Sequence, residues 1–179
     1  MRSILLVIAF LFSGTAFAKC YDDVDKFKGT EAHWCGLWGT GGVMLGGMLG
    51  VDPVPYLVKT QGQEKLFIRL FLDQSNFLFI RTGDEIVFIT DSDERITLKA
   101  AYDGSREVKS DSVQGVHTTE HSDYPITLEQ FKTLASSRSV EFAAYTDKGR
   151  IERKLRGAQL KIYNEFLQQV IAVHGKSIQ

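Results

Sequence analysis

The sequence predicts an α+β fold: a mainly antiparallel β meander, sandwich-like, with a C-terminal packing helix and one short helix near residues 128–136. Three observations carry this. Residues 65–101 contain four short apolar runs, each closed by a polar or Gly-bearing turn. Residues 140–145 and 151–155 alternate on either side of Asp147-Lys148-Gly149. From Leu160 onward, Tyr163, Phe166, Leu167, Val170 and Ile171 recur at helical spacing.

At the N-terminus, Arg2 precedes an apolar run over residues 4–12, and Ala16-Phe17-Ala18 follows. A charged n-region, an apolar h-region and an A-x-A site predict export, with a signal peptide over 1–18 cleaved after Ala18. As an uncleaved anchor the run is about half the length needed to cross a bilayer. Lys19 stands where lipoprotein signals carry a small residue, which argues against a lipid on Cys20. The expected location is therefore the periplasm or the exterior.

Cys20 and Cys35 are the only cysteines. In an exported chain an even count predicts a disulfide. Closing a loop of roughly 16 residues, it would add ~3 kcal/mol by restricting the unfolded chain. Residues 19–55 then form a Cys- and Gly-rich N-terminal segment ahead of a single β-rich domain over 56–174. Within that segment, residues 34–51 carry no charge and hold seven glycines in eighteen residues. Gly42, Gly46 and Gly50 recur every four residues; on a helix they would line one bare stripe, with Met44, Leu45, Met48 and Leu49 opposite. At ~1 kcal/mol per glycine relative to Ala, that helix is unfavourable. A loop or short helix tucked on the domain is the first reading, and a membrane- or partner-facing segment is the second.

Pro53-Val54-Pro55 reads as a stiff extended connector, and Tyr56-Leu57-Val58-Lys59 as a strand turning through Gln61-Gly62-Gln63. Next, Leu66, Ile68, Leu70 and Leu72 alternate as in a strand with one buried face, while Phe67, Arg69 and Phe71 make the other face only partly polar. Phe77-Leu78-Phe79-Ile80 and Ile86-Val87-Phe88-Ile89 are apolar throughout and rich in aromatic and β-branched residues, so both read as strands covered on two faces. Ile96-Thr97-Leu98-Lys99 returns to alternation. Residues 106–124 are polar and read as edge strands or a long surface loop. Thr127 with Gln130 makes a capping box ahead of Leu128, Phe131, Leu134 and Ala135, which predicts the short helix. The final helix should lie across the meander and cover it, ending at His174-Gly175.

Composition excludes some functions. Of 21 basic residues one lies in the signal segment, leaving 20 against 22 acidic, so no broad basic field invites nucleic acid. No Gly-rich phosphate loop, G-x-S-x-G elbow or other catalytic motif is present, and no cofactor is expected. Asp84-Glu85 and Asp91-Ser92-Asp93-Glu94 are oxygen-rich, yet neither fits a calcium loop. No metal ligand is assigned; the pair that could serve is His117 and His121, which would meet on a helix but stand about 13 Å apart on a strand. Their Thr, Ser and Asp neighbours favour two solvated histidines on a polar loop. His33 reads as loop packing.

These observations predict a small exported cell-envelope protein that binds a protein or another envelope component without catalysis. Its expected contact residues are Trp34, Trp38, Met44, Leu45, Met48 and Leu49, because an uncharged apolar stretch outside the main core needs a cover and tryptophan dominates such surfaces. Two rivals are a membrane-associated protein using residues 34–51 and a metal-dependent hydrolase centred on His117 and His121. Binding of an apolar ligand inside the sheet is a further alternative. Nothing in the sequence specifies an oligomeric state.

Overall fold

The computed structural model describes residues 18–37, 50–111, 115–155 and 157–174. The signal segment falls outside these residues except for Ala18, and Trp38, Met44, Leu45, Met48 and Leu49 all lie outside them. The described chain is α+β, built mostly of antiparallel sheet. In chain order the strands are β1 (Ala18–Asp25), β2 (Thr30–Leu37), β3 (Val51–Thr60), β4 (Gln63–Gln74), β5 (Glu85–Thr90) and β6 (Arg95–Lys99). β7 (Ser105–Asp111) and β8 (Gly115–Pro125) come next, then helix α1 (Leu128–Ser136) and the hairpin of β9 (Val140–Thr146) and β10 (Gly149–Leu155). Helix α2 (Gly157–Phe166) continues through a π-helical stretch (Leu167–Ile171) into a last turn, α3 (Ala172–His174).

One sheet runs β1-β2-β3-β4-β8-β7 and the other β10-β9-β5-β6. The residue pattern fixes which face is inside. Leu66, Ile68, Leu70 and Leu72 of β4 share one core with Ile86 and Phe88 of β5, Ile96 and Leu98 of β6 and Phe142 of β9. Cys20 and Cys35 are direct partners across β1 and β2 and form the expected disulfide. Between β3 and β4, Gln61 (φ 52°) and Gly62 (φ 80°) give the two positive φ values that a tight two-residue hairpin requires.

Helix α2 buries Leu160, Ile162, Tyr163 and Phe166. It packs mainly on β1, β2 and β3, whereas the sequence expected it to lie across the residue 65–101 meander. Tyr163 Oη donates to the Pro53 carbonyl at 2.9 Å. Phe131 of α1 packs against Tyr163 and Phe166, both at 5.5 Å between ring centroids. The α1 capping box forms as expected, with Thr127 and Gln130 each accepting the other's backbone N–H.

Several expectations are corrected. Residues 65–101 are not one meander: β4 belongs to the six-stranded sheet, whereas β5 and β6 belong to the other. The connector Pro53-Val54-Pro55 lies within β3, opposite Leu70, Arg69 and Ile68 of β4. Among the described residues the β2–β3 pairing reaches only Tyr56, so neither proline is asked for an N–H by β2. Of the edge strands or surface loop expected over 106–124, β7 is an edge strand, but β8 is interior, pairing with β4 on one side and β7 on the other. His33 lies on β2, 4% exposed, with Nδ1 2.7 Å from Asp22 Oδ1 and its ring stacked 4.1 Å from that of His174.

The remaining correction concerns Phe77-Leu78-Phe79-Ile80, which forms the irregular crossover between the two sheets. The Glu120 carboxylate on β8, 2% exposed, accepts the backbone N–H groups of Leu78, Phe79 and Ile80 at 3.0, 2.9 and 2.8 Å. It also takes Arg106 Nε at 2.9 Å. These contacts satisfy donors that a sheet ladder would otherwise use, so a run of strand-like composition is held out of the sheets. E120A leaves three amides and a guanidinium facing an emptied buried site. It should lower unfolding stability in urea by about 3–5 kcal/mol, the range seen when one partner of a buried pair is removed. A loss no larger than that of an exposed control such as E107A would contradict this role.

Candidate functional site

Because strand residues alternate between faces, the register that buries Leu66, Ile68 and Leu70 turns a second set of side chains outward on the six-stranded sheet. Tyr21 of β1 is opposite Trp34 of β2, Trp34 is opposite Tyr56 of β3, and Tyr56 is opposite Phe67 of β4. Four aromatic residues thus form one row across four strands, each half-buried. Tyr21 and Trp34 stack with ring centroids 4.4 Å apart and planes 20° from parallel. One row further along, Arg69 of β4 meets Asp123 of β8 through two hydrogen bonds, Nε to Oδ1 at 2.6 Å and Nη2 to Oδ2 at 2.8 Å. The same guanidinium lies 3.8 Å from the centre of the Tyr56 ring, so planar groups follow one another from β1 to β8.

The next row holds Phe71 and His121, whose rings are 5.5 Å apart. Beyond it, Asp73 Oδ1 lies 3.8 Å from Nε2 of His117. Beside the aromatic row is an open depression of about 350 Å³. Its floor is Ala32 and Val58; Tyr56, Phe67, Asp23 and Asp25 stand around it.

Several of these groups are electrostatically perturbed. Burial opposes the charge on Arg69, but the hydrogen bonds and charge of Asp123 outweigh it and the guanidinium is held protonated. Burial, followed by the Asp123 charge, pushes Tyr102 up to about 12. Burial, followed by the Arg69 charge, lowers His121.

The residues singled out from sequence are distributed as follows. Trp34 stands in the aromatic row, on a strand and not in a loop. His117 and His121 share this outer face on β8, and His117 is 8% exposed, so neither belongs to a polar loop. Among the described residues no three of His, Cys, Asp and Glu converge as a metal site. Asp84 accepts the N–H of Arg81 within its own turn, and Asp91 accepts that of Arg138, 47 positions away. Among the described residues no helix is long and apolar enough to cross a membrane.

The chain matches no protein-family model, and no curated protein resembles it in sequence. The outer face must therefore be interpreted from its own chemistry. Sequence reasoning missed Tyr21, Tyr56, Phe67, Arg69 and Asp123 as members of one face. The available signal was the partly apolar second face of β4, where Phe67, Arg69 and Phe71 alternate with the core residues.

The lowered His121 has a measurable consequence. The unfolded chain takes up a proton at the ordinary histidine value of 6.5, while the folded chain resists it. The stability from this residue is therefore complete above pH 6.5 and is lost as pH falls through that value toward the folded one. Urea titrations at pH 7.5 and 5.5 should show a smaller drop in stability for H121Q than for the wild type. Equal drops would rule out His121 as a contributor.

Proposed function

We propose that this protein is a small exported cell-envelope protein, periplasmic or secreted, that binds a protein partner or another envelope component without catalysing a reaction. Its signal peptide ends at Ala18, and its contact surface is the outer face of the six-stranded sheet around Trp34. The observation that carries this reading is the row Tyr21-Trp34-Tyr56-Phe67 followed by Arg69. Large, half-buried aromatic residues next to an arginine are the composition of binding hot spots. Stacking at 4.4 Å between Tyr21 and Trp34 and the guanidinium over Tyr56 already order these side chains. Little rotamer entropy is then left to lose when a partner docks.

The Cys20–Cys35 disulfide supports an oxidising compartment, because such bonds persist outside the cytosol. Trp38, Met44, Leu45, Met48 and Leu49, the other contact residues expected from sequence, lie outside the described residues. The test uses the full chain in its producing cell, with a photo-crosslinking phenylalanine in place of Phe67. Illumination should give a discrete adduct in the envelope fraction, and W34A should remove most of it. The same probe in place of Val108, exposed on β7, should give none. No adduct at position 67, or an equal one at position 108, would end this reading.

A further inference from the structure

The four-stranded sheet also has an outward face, and its chemistry differs. Register places Val87 of β5 directly opposite Ala143 of β9, and Ala143 opposite Glu152 of β10. Val87 is only 4% exposed although its neighbours Ile86 and Phe88 point the other way into the core. The small Ala143 beside it leaves a groove of about 460 Å³, within the range of small-ligand sites. Ile89 and Tyr145 line the groove and keep 41% and 38% of their surface exposed.

The groove is charged asymmetrically. Arg95, Arg150, Arg153 and Lys154 line it against two carboxylates, Glu141 and Glu152. Both carboxylates are already engaged, Glu152 by Arg150 at 2.8 Å and Glu141 by Lys154 at 3.0 Å. Arg95 stands next to Ile89, its register partner on β5. An apolar floor with an excess of guanidinium at its rim complements a molecule with an apolar body and one anionic head. The density of charge along β10 discourages an added strand at that edge, so the occupant belongs on the sheet face.

We infer that the outer face of the four-stranded sheet is a binding site for a small anionic amphiphile, a single acyl or similar apolar body carrying a carboxylate or phosphate. The apolar part lies over Val87 and Ala143 between Ile89 and Tyr145, and the head group meets Arg95 and its basic neighbours. This site is separate from the aromatic row and does not depend on the function proposed for that row.

The test is a titration of the mature, disulfide-bonded protein followed by amide NMR shifts. The probes are octanoate, octyl phosphate and octyltrimethylammonium, each below its critical micelle concentration. Saturable shifts at Val87, Ala143 and Tyr145 are expected with one or both anions and not with the cation. The stronger of the two anions identifies the head group as carboxylate or phosphate. R95E, an exposed change, should weaken binding at least tenfold, and A143F, which fills the floor, should abolish it. Three outcomes overturn the inference: no saturable shifts with either anion, equal shifts with the cationic probe, or undiminished binding by R95E. Because R95E lies at the rim, it remains decisive even if A143F fails to fold.

Discussion

The fold depends on how the chain passes from one sheet to the other between Gln74 and Glu85. Its middle, Phe77 to Ile80, is apolar and sinks from half-buried to fully buried at Ile80, where each unpaired backbone group costs about 1–3 kcal/mol. Glu120 accepts three of its amides, while the carbonyls are used elsewhere: Leu78 and Phe79 take the N–H groups of Lys148 and Asp147, and Ile80 takes that of Gly104. One carboxylate thus ties β8 to a segment that is itself bonded to the β9–β10 turn, so the two sheets are joined by polar contacts as well as by their core. The closeness is exacting. A Cβ on Gly104 would lie 2.6 Å from Glu120 Oε1, so no other residue fits there without displacing the carboxylate. Phe79 has a φ of 59°, unfavourable for an aromatic residue. Its ring is compensated by the Arg106 guanidinium 4.9 Å away and the Lys148 ammonium at 5.5 Å.

This arrangement explains which parts of the structure could be inferred from sequence. Helix α1 and the β9–β10 hairpin were legible because their determinants lie within a few residues: Thr127 and Gln130 for one, Asp147 to Gly149 for the other. The disulfide was legible from the cysteine count together with the export signal. The crossover was not, because what keeps Phe77-Leu78-Phe79-Ile80 out of a sheet is a carboxylate 40 to 42 positions away in the chain. Strand β8 was hidden for a related reason. Its buried positions include His117, Glu120, Ser122 and Asp123, which resemble a solvated loop until their partners are known. Arg69 meets Asp123, Arg106 meets Glu120, and Ser122 Oγ donates to the Tyr102 carbonyl at 2.8 Å. Asp123, Glu120 and Ser122 are each buried because something distant satisfies them. The aromatic row was hidden by register, since its four members come from four strands and no linear window contains them.

The outer face of the six-stranded sheet is therefore organised from within. Arg69 and Asp123 are each only partly accessible, with 19% and 10% of their side chains exposed. A charge pair so placed needs good geometry to offset desolvation, and its two-pronged hydrogen bonds provide it. The guanidinium in turn fixes the Tyr56 ring from one side, and the Tyr21–Trp34 stack continues the series toward the sheet edge. A partner meeting this face would find groups already set in position by their neighbours, so the rigidity needed for recognition is a by-product of how β4 and β8 pair.

Net charge conceals the last feature. At a formal −1 the chain looks electrostatically featureless, and that near balance removed nucleic acid from its expected partners. Yet the balance is an average over two unlike faces. Around the depression beside the aromatic row, Asp23, Asp25 and Asp123 outnumber Lys28 and Arg69, whereas the opposite sheet's groove carries four cations against two carboxylates. Within a Debye length of about 8 Å at physiological salt, a ligand responds to the local set and not to the total. The alternation of strands makes this separation possible: each sheet gives one face to the shared core and has the other free for charge of a chosen sign. Two back-to-back sheets can therefore offer chemically distinct outer faces while the sum of their charges stays near zero.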